Sequence, residues 1–229
     1  LQAFTNHPNP PALVLKTSGA DFSILDREDT IKNIKNMKKK FASANTLPSI
    51  YLIHGDLTIE QMSHLYNNPK IKCFISCTHG EGFGRPLLEA SCCGLPVIAS
   101  KWSGHLDFLN EKESLLIEGH LKEVPEGQIW KPIIVKPSKW FNPTEADVIR
   151  KIRMFHKKHS IFIKKGKRLG KKNHREFSLD KMAIKFNSIL DNVLKQIPSA
   201  MSLKLPKLKK ADTKKPQNAT IKLPKLKKV

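Results

Sequence analysis

Several features that would place a chain quickly are missing here. No apolar run approaches the ~18–20 residues that span a bilayer. The opening LQAFTNHPNPP has neither the basic nor the apolar segment of a signal peptide, and it lacks a starting Met. Cysteine is scarce: Cys73, Cys77, Cys92 and Cys93 are the only four in 229 residues. Two lie in the apolar run IKCFISC and two are adjacent, which fits neither a small disulfide scaffold nor a CxxC metal pair. Buried free thiols in a reducing cytoplasm are therefore expected. Acidic residues are also few, 20 against 41 Lys and Arg, and the formal charge is +21. That balance favours acidic partners: nucleic acid, anionic membrane or phosphorylated ligands. Apolar residues make up 39%, below the usual ~45–50%. The deficit falls on the C-terminal third.

Periodicity organises the rest. Leu1–Phe4 reads as the end of a helix, broken by Asn9-Pro10-Pro11. Strands are predicted at 12–17, 49–55, 71–77 and 96–100, with weaker ones at 114–119 and 132–135. An amphipathic helix over 27–42 presents Ile31, Ile34, Met37 and Phe41 on one face. Thr58 caps a short helix reaching Tyr66, and another runs from Pro86 to Cys93. Apolar strands alternating with helices predict an α/β fold, a Rossmann-like parallel sheet with helices on both faces. The expected domains are a lobe over 1–143, helices over 144–197 (144–174 and 178–196, the second capped by Ser178), and a Lys/Pro-rich tail over 198–229. In the tail LKLPKLKK recurs as IKLPKLKK, a composition that cannot bury a core.

The chemistry concentrates in Cys77–Ser100, CTHGEGFGRPLLEASCCGLPVIAS. Gly80, Gly82 and Gly84 permit positive φ and close backbone approach, and Pro86 and Gly94 punctuate the helix that follows. Such a loop aims backbone amides and a helix N-terminus at one place, which suits a phosphate. Arg85-Pro86 stands where a P-loop needs Lys then Ser or Thr. Arg85 or Leu87 falls where the dinucleotide fingerprint needs its third glycine. What remains is a pair of carboxylates, Glu81 and Glu89, with seven residues between them. Carboxylates so placed can accept hydrogen bonds from paired sugar hydroxyls.

GEGFGRPLLEASCCGLPVIAS, followed by Ser103-Gly104-His105, closely resembles the E-x7-E signature of retaining GT-B glycosyltransferases of the group-1/family-four type. HGDLTIEQMSHLYNNPKIKCFIS precedes it as in the family's second domain. SKWF (138–141) and FSLDKM (177–182) resemble closing elements of phage-borne members. The resemblance covers residues 1 to about 195.

It implies the C-terminal lobe of a GT-B fold, binding a nucleoside diphosphate sugar for retaining transfer without a metal or other cofactor. Glu81 would contact the transferred sugar, as the one catalytic assignment. Gly80, Gly82, Phe83, Gly84 and Arg85 would face sugar and phosphate, and Glu89 would hold the ribose. Lys16 would approach the diphosphate, and His54 and Gly55 would border the base. Independently, Lys16, His54, the Gly80–Gly84 loop and the Ser100–His105 loop all fall at carboxyl ends of predicted strands, where ligands of open α/β sheets bind.

The family's opening strand, with a basic pair for the diphosphate, is not seen before Leu1. The expectation is thus of an N-terminally truncated lobe that needs a missing acceptor domain for efficient transfer. The acceptor (glycan, protein or nucleic acid) is unspecified. The expected location is the cytoplasm or, peripherally, a membrane surface.

A rival reading makes the chain a polyanion-binding module. Lysines 204, 207, 209, 210, 214, 215, 222, 225, 227 and 228 stand against Asp212 alone in the tail, with no aromatic residue for base stacking. A weaker alternative is a lobe that binds nucleotide without catalysis. His7, His64, His120, His156, His159 and His174 show no metal-ligand spacing, whereas His79 and His105 flank the candidate site.

Overall fold

The computed structural model describes residues 1–17 and 23–196. The tail repeat and the boundary at 198 lie outside the described residues. The chain forms two compact units, Leu1–Lys185 and Phe186–Val229.

In the first unit five parallel strands form two separately bonded sheets. Strand β1 (Leu13–Thr17) pairs with β2 (Ile50–His54), so that Lys16 lies opposite Ile53 and Thr17 opposite His54. Strands β3 (Phe74–Ser76), β4 (Val97–Ser100) and β5 (Leu115–Ile117) form the other sheet, with β4 central. All four residues of β4 and all three of β5 are buried. Continuous apolar sequence is what a parallel strand covered on both faces requires.

One face carries Leu87, Val97, Ala99, Phe108, Leu109, Leu116 and Leu169, and the other Ile98, Leu115, Ile117, Phe155 and Phe162. The helices of this unit are α1 (Ile24–Lys39), α2 (Ile59–Asn67), α3 (Arg85–Cys92), α4 (Glu145–Lys157) and α5 (His159–Glu176), of which α3, α4 and α5 supply Leu87, Phe155, Phe162 and Leu169 to these two clusters. Helix α5 lies unusually close to α3. A Cβ on Gly166 would come within 2.8 Å of Gly94 O, and one on Gly170 within 2.7 Å of Ser91 O. The approach also lets buried Asn173 donate from Nδ2 to Ser91 Oγ at 2.9 Å.

Several expectations need correction. Leu1–Phe4 holds a single 3-10 turn over Gln2–Phe4 rather than the end of an α-helix. It docks on α4, where Arg153 Nε donates to Ala3 O at 2.8 Å. Helix α1 starts at Ile24, earlier than expected, because Ser23 accepts from the Asp26 amide and caps it; Met37 is exposed rather than packed. The helix expected over 144–174 breaks at Lys158, so His156 and His159 lie on different helices. Residues 132–135 are not a strand: Trp130 and Ile134 make one isolated bridge, and Ile133 is exposed. An unpredicted antiparallel hairpin forms instead, β6 (Gly119–Glu123) against β7 (Lys139–Pro143).

The four thiols are free but not uniformly buried. Cys77 is exposed and the others are half-buried. Burial pushes the Cys73 thiol up to about 12. Helix α6 (Leu179–Leu194) begins with Ser178 Oγ accepting from the Lys181 amide at 3.3 Å. Its portion from Phe186 on belongs to the second unit.

Candidate functional site

The site grows from the carboxyl end of β3. Beyond Ser76 the chain crosses Cys77–Gly84 and enters α3 at Arg85. Gly84 is the N-cap residue with φ +82°, and a Cβ there would meet Leu87 Cδ1 at 3.0 Å and His105 Cβ at 3.1 Å. A side chain is thus disfavoured twice, by conformation and by space. Gly80 and Gly82 do not adopt positive φ, so of the three loop glycines only Gly84 needs that freedom. Pro86 occupies the second helical position rather than the first.

The adjacent loop after β4 holds this one down. Ser100 Oγ donates to Thr78 O at 2.7 Å. Ser103 Oγ donates to Glu81 O at 2.7 Å and accepts from Glu81 N at 3.2 Å. Gly104 N donates to the same Glu81 carbonyl at 3.1 Å. A Cβ on Gly104 would lie 2.0 Å from Gly82 O, so only glycine lets the two loops meet. Among the described residues the amides of Gly82, Phe83, Gly84 and Arg85 find no backbone or side-chain acceptor. A Cβ at Gly82 would face open space. Free amides around an open point at a helix N-terminus are a chemistry for an anionic oxygen.

The predicted residues fare differently. Glu81 is half-buried, with its peptide clamped as described. Glu89 is half-exposed and paired with Arg85, Nε to Oε1 at 2.9 Å, one helical turn away. A ligand reaching either group therefore meets the pair. Phe83 packs edge-on against Phe108, with ring centres 5.3 Å apart, and so ties the loop to the core. Lys16 is half-buried near the end of β1. At the end of β2 His54 Nε2 meets Asp26 Oδ2 at 2.6 Å, which occupies that ring edge. Gly55 follows at φ +107°.

The two flanking histidines separate. His105 is fully buried, its Nε2–H donating to Ser100 O at 2.6 Å, so it supports the loop from beneath. His79 is exposed and stacks flat on Trp140, with ring centres 4.1 Å apart. Its Nδ1–H donates to Phe141 O at 2.7 Å, while Phe141 N donates to His79 O at 3.1 Å. Trp140 is the site residue that sequence reasoning missed, although the aromatic pair in SKWF was its signal. Ser103 lay in the Ser100–His105 loop expected beside the site, but nothing in a single sequence marks its positive φ or its hold on Glu81.

A separate groove of about 460 Å³ lies at the other end of α3, lined by Cys92, Cys93, Lys167, Lys171, His174 and Arg175 among others. It is distinct from the glycine loop. Among the described residues no cluster of His, Cys, Asp and Glu could hold a metal ion. No described helix is long and apolar enough to cross a membrane.

A strand, a glycine loop and a helix in succession on a parallel sheet define an open α/β lobe, with the loop at the carboxyl end of its strand. Residues 26–126 match the family of glycosyl transferases group 1, a span that contains the glycine loop, Glu81 and Glu89. The fold is that of GT-B glycosyltransferases. Anabaena Alr3699/HepE, solved in complex with UDP and glucose, superposes with a TM-score of 0.55 at 14% identity, over 86% of this chain and 43% of that one. Sucrose-phosphate synthase from Thermosynechococcus elongatus gives a TM-score of 0.58 at 16% identity, over 85% of this chain and 41% of that one. The chain thus spans less than half the length of these solved proteins. No curated protein matches it.

Proposed function

We propose that this chain is the donor-binding lobe of a retaining glycosyltransferase and takes a nucleoside diphosphate sugar. The observation that carries the reading is the set of free amides at Gly82–Arg85, held open beside Glu81 at the N-terminus of α3. The leaving diphosphate gains charge as the glycosidic bond breaks. Fixed amides therefore stabilise the transition state more than the ground state. Glu81 meets the sugar hydroxyls, Glu89 the ribose once it swings from Arg85, and Lys16 the diphosphate. His54 serves the base side through its backbone and Gly55, since its ring is held by Asp26. The UDP and UDP-glucose complexes of the Anabaena protein support a nucleotide-sugar donor. No metal is assigned to the reaction, and the acceptor-binding half lies in a further domain.

The test is a thermal-shift panel of UDP-, GDP- and ADP-glucose on wild type, Glu89→Ala and Gly82→Val at high salt. A wild-type shift that both variants lose supports the reading; equal shifts in all three sink the site assignment.

A second reading, polyanion contact, gains support from α5. Lys164, Arg168, Lys171 and Arg175 recur at helical spacing and are all exposed, opposite buried Phe162, Gly166, Leu169 and Asn173. Like charges so spaced weaken an isolated helix, and an anionic partner relieves that repulsion. Its signature is DNA affinity that falls steeply with salt. An affinity insensitive to reversing Lys164, Arg168 and Lys171 to Glu removes α5 from it.

A further inference from the structure

We propose that Ser103 is a positioning residue for the donor site, a serine in a strained backbone conformation whose hydroxyl fixes the Glu81 peptide. The inference rests on the donor-site reading above. Ser103 has φ +84° and ψ −168°, a region that glycine occupies freely and other residues almost never. A residue needed only to turn the chain here would be glycine.

The serine supplies two hydrogen bonds that glycine cannot. Its hydroxyl accepts from Glu81 N and donates to Glu81 O, while Gly104 N takes the second lone pair of that carbonyl. Glu81 lies between Gly80 and Gly82, with Gly84 two residues further on. Such a segment loses much conformational entropy on ordering. Closing both polar groups of the Glu81 peptide onto the Ser103–Gly104 turn fixes the peptide planes on either side. The neighbouring amides, Gly82 onward, are thereby aimed before any ligand arrives. Pre-ordered donors bind without the cost of immobilising a loop. Ser103 acts through Glu81; it is not assigned contact with the sugar.

Two variants separate the hydroxyl from the strain. Ser103→Gly removes the hydroxyl and relaxes the backbone, while Ser103→Ala removes the hydroxyl and keeps the strain. Each is compared with wild type for thermal midpoint, for Glu81 amide exchange without ligand, and for affinity toward the sugar nucleotide that wild type binds among UDP-, GDP- and ADP-glucose. The expectation is that Ser103→Gly melts above Ser103→Ala, yet both bind about tenfold more weakly than wild type. Both also exchange the Glu81 amide faster. A merely structural serine would instead make affinity follow stability, with the glycine variant binding like wild type, and that result overturns the proposal. If wild type binds none of the three, the donor reading fails, and Glu81 exchange alone decides on the clamp. Faster exchange in both variants keeps it, and unchanged exchange removes it.

Discussion

The two parallel sheets of the first unit are built from the same alternation of strand and helix but are held with different firmness. In the β3–β4–β5 sheet the central strand is buried throughout, and helices close both faces. In the β1–β2 sheet every residue of β1 is only half-buried, Tyr51 on β2 is exposed, and α1 buries no residue completely. Helix α2, which follows β2 in the chain, packs on the denser half: its Tyr66 and Met62, with Ile71 just beyond it, meet Ala90 and Leu95. The division matters for the site. The Glu81 loop grows from the dense sheet and is clamped by its neighbour. Lys16 and His54 sit on the lighter sheet, where the described support for the ring of His54 is the Asp26 carboxylate.

Emptying one residue in each half should show the difference in firmness most strongly. Ile98→Ala, fully buried on β4, should cost ~2–5 kcal/mol through lost burial and a cavity. Ile34→Ala, half-buried on α1, should cost at most about 1 kcal/mol. Urea denaturation measures both, and equal costs would erase the distinction. Next in size, Gly170→Ala puts a methyl 2.7 Å from Ser91 O, a backbone atom. Forcing α5 from α3 should cost about 1–3 kcal/mol. A neutral result would mean that the close approach is not needed by the dense half.

In the lighter half, Asp26→Ala should cost about 1 kcal/mol by removing the His54 partner. Faster amide exchange in β2, with β4 unaffected, is the accompanying sign, whereas acceleration in both sheets would mean that the halves open together. The smallest effect is in pH. Desolvation opposes the charge on Asp147, but the Glu118 amide and the Arg150 guanidinium outweigh it and hold its carboxyl below the usual carboxylate range. A lowered folded pKa contributes stability that is present above the ordinary value of about 3.9 and lost as pH falls through the folded value. Asp147→Asn should therefore flatten the acid limb of the stability curve below about pH 4. An unchanged acid limb would contradict this link between α4 and the end of β5.

Sequence legibility follows the same division. Elements with local chemical punctuation were readable. Thr58 caps α2 and forms a capping box with Gln61, while Gly84 and Gly94, both at positive φ, bracket α3. The apolar strands β4 and β5 were readable because burial on both faces writes itself as a continuous hydrophobic run. Residues 132–135 carried the same apolar signal and failed as a strand. Pro132 offers no amide, and among the described residues the segment's ladder pairing is the single Trp130–Ile134 bridge. The β6–β7 hairpin was missed for the opposite reason. GHLKE is polar and largely exposed, held by cross-strand pairing and by Gly119, whose missing Cβ would lie 2.2 Å from Asn142 O. Of the site, the loop and its carboxylates could be read. The Asp26–His54 pair, the His79–Trp140 stack and the Ser103–Glu81 clamp join distant segments, so the contacts were not legible even where SKWF and Ser103-Gly104-His105 stood out as local patterns.

On the function proposed above, the free amides of Gly82–Arg85 receive the diphosphate of a sugar nucleotide. Amide resonances followed while UDP, GDP or ADP is titrated test it most directly. One nucleotide is expected to shift Gly82, Phe83, Gly84 and Arg85 saturably, with little change on the groove side at Lys167 and Lys171. Saturable shifts confined to α5, with the glycine loop silent, would contradict it.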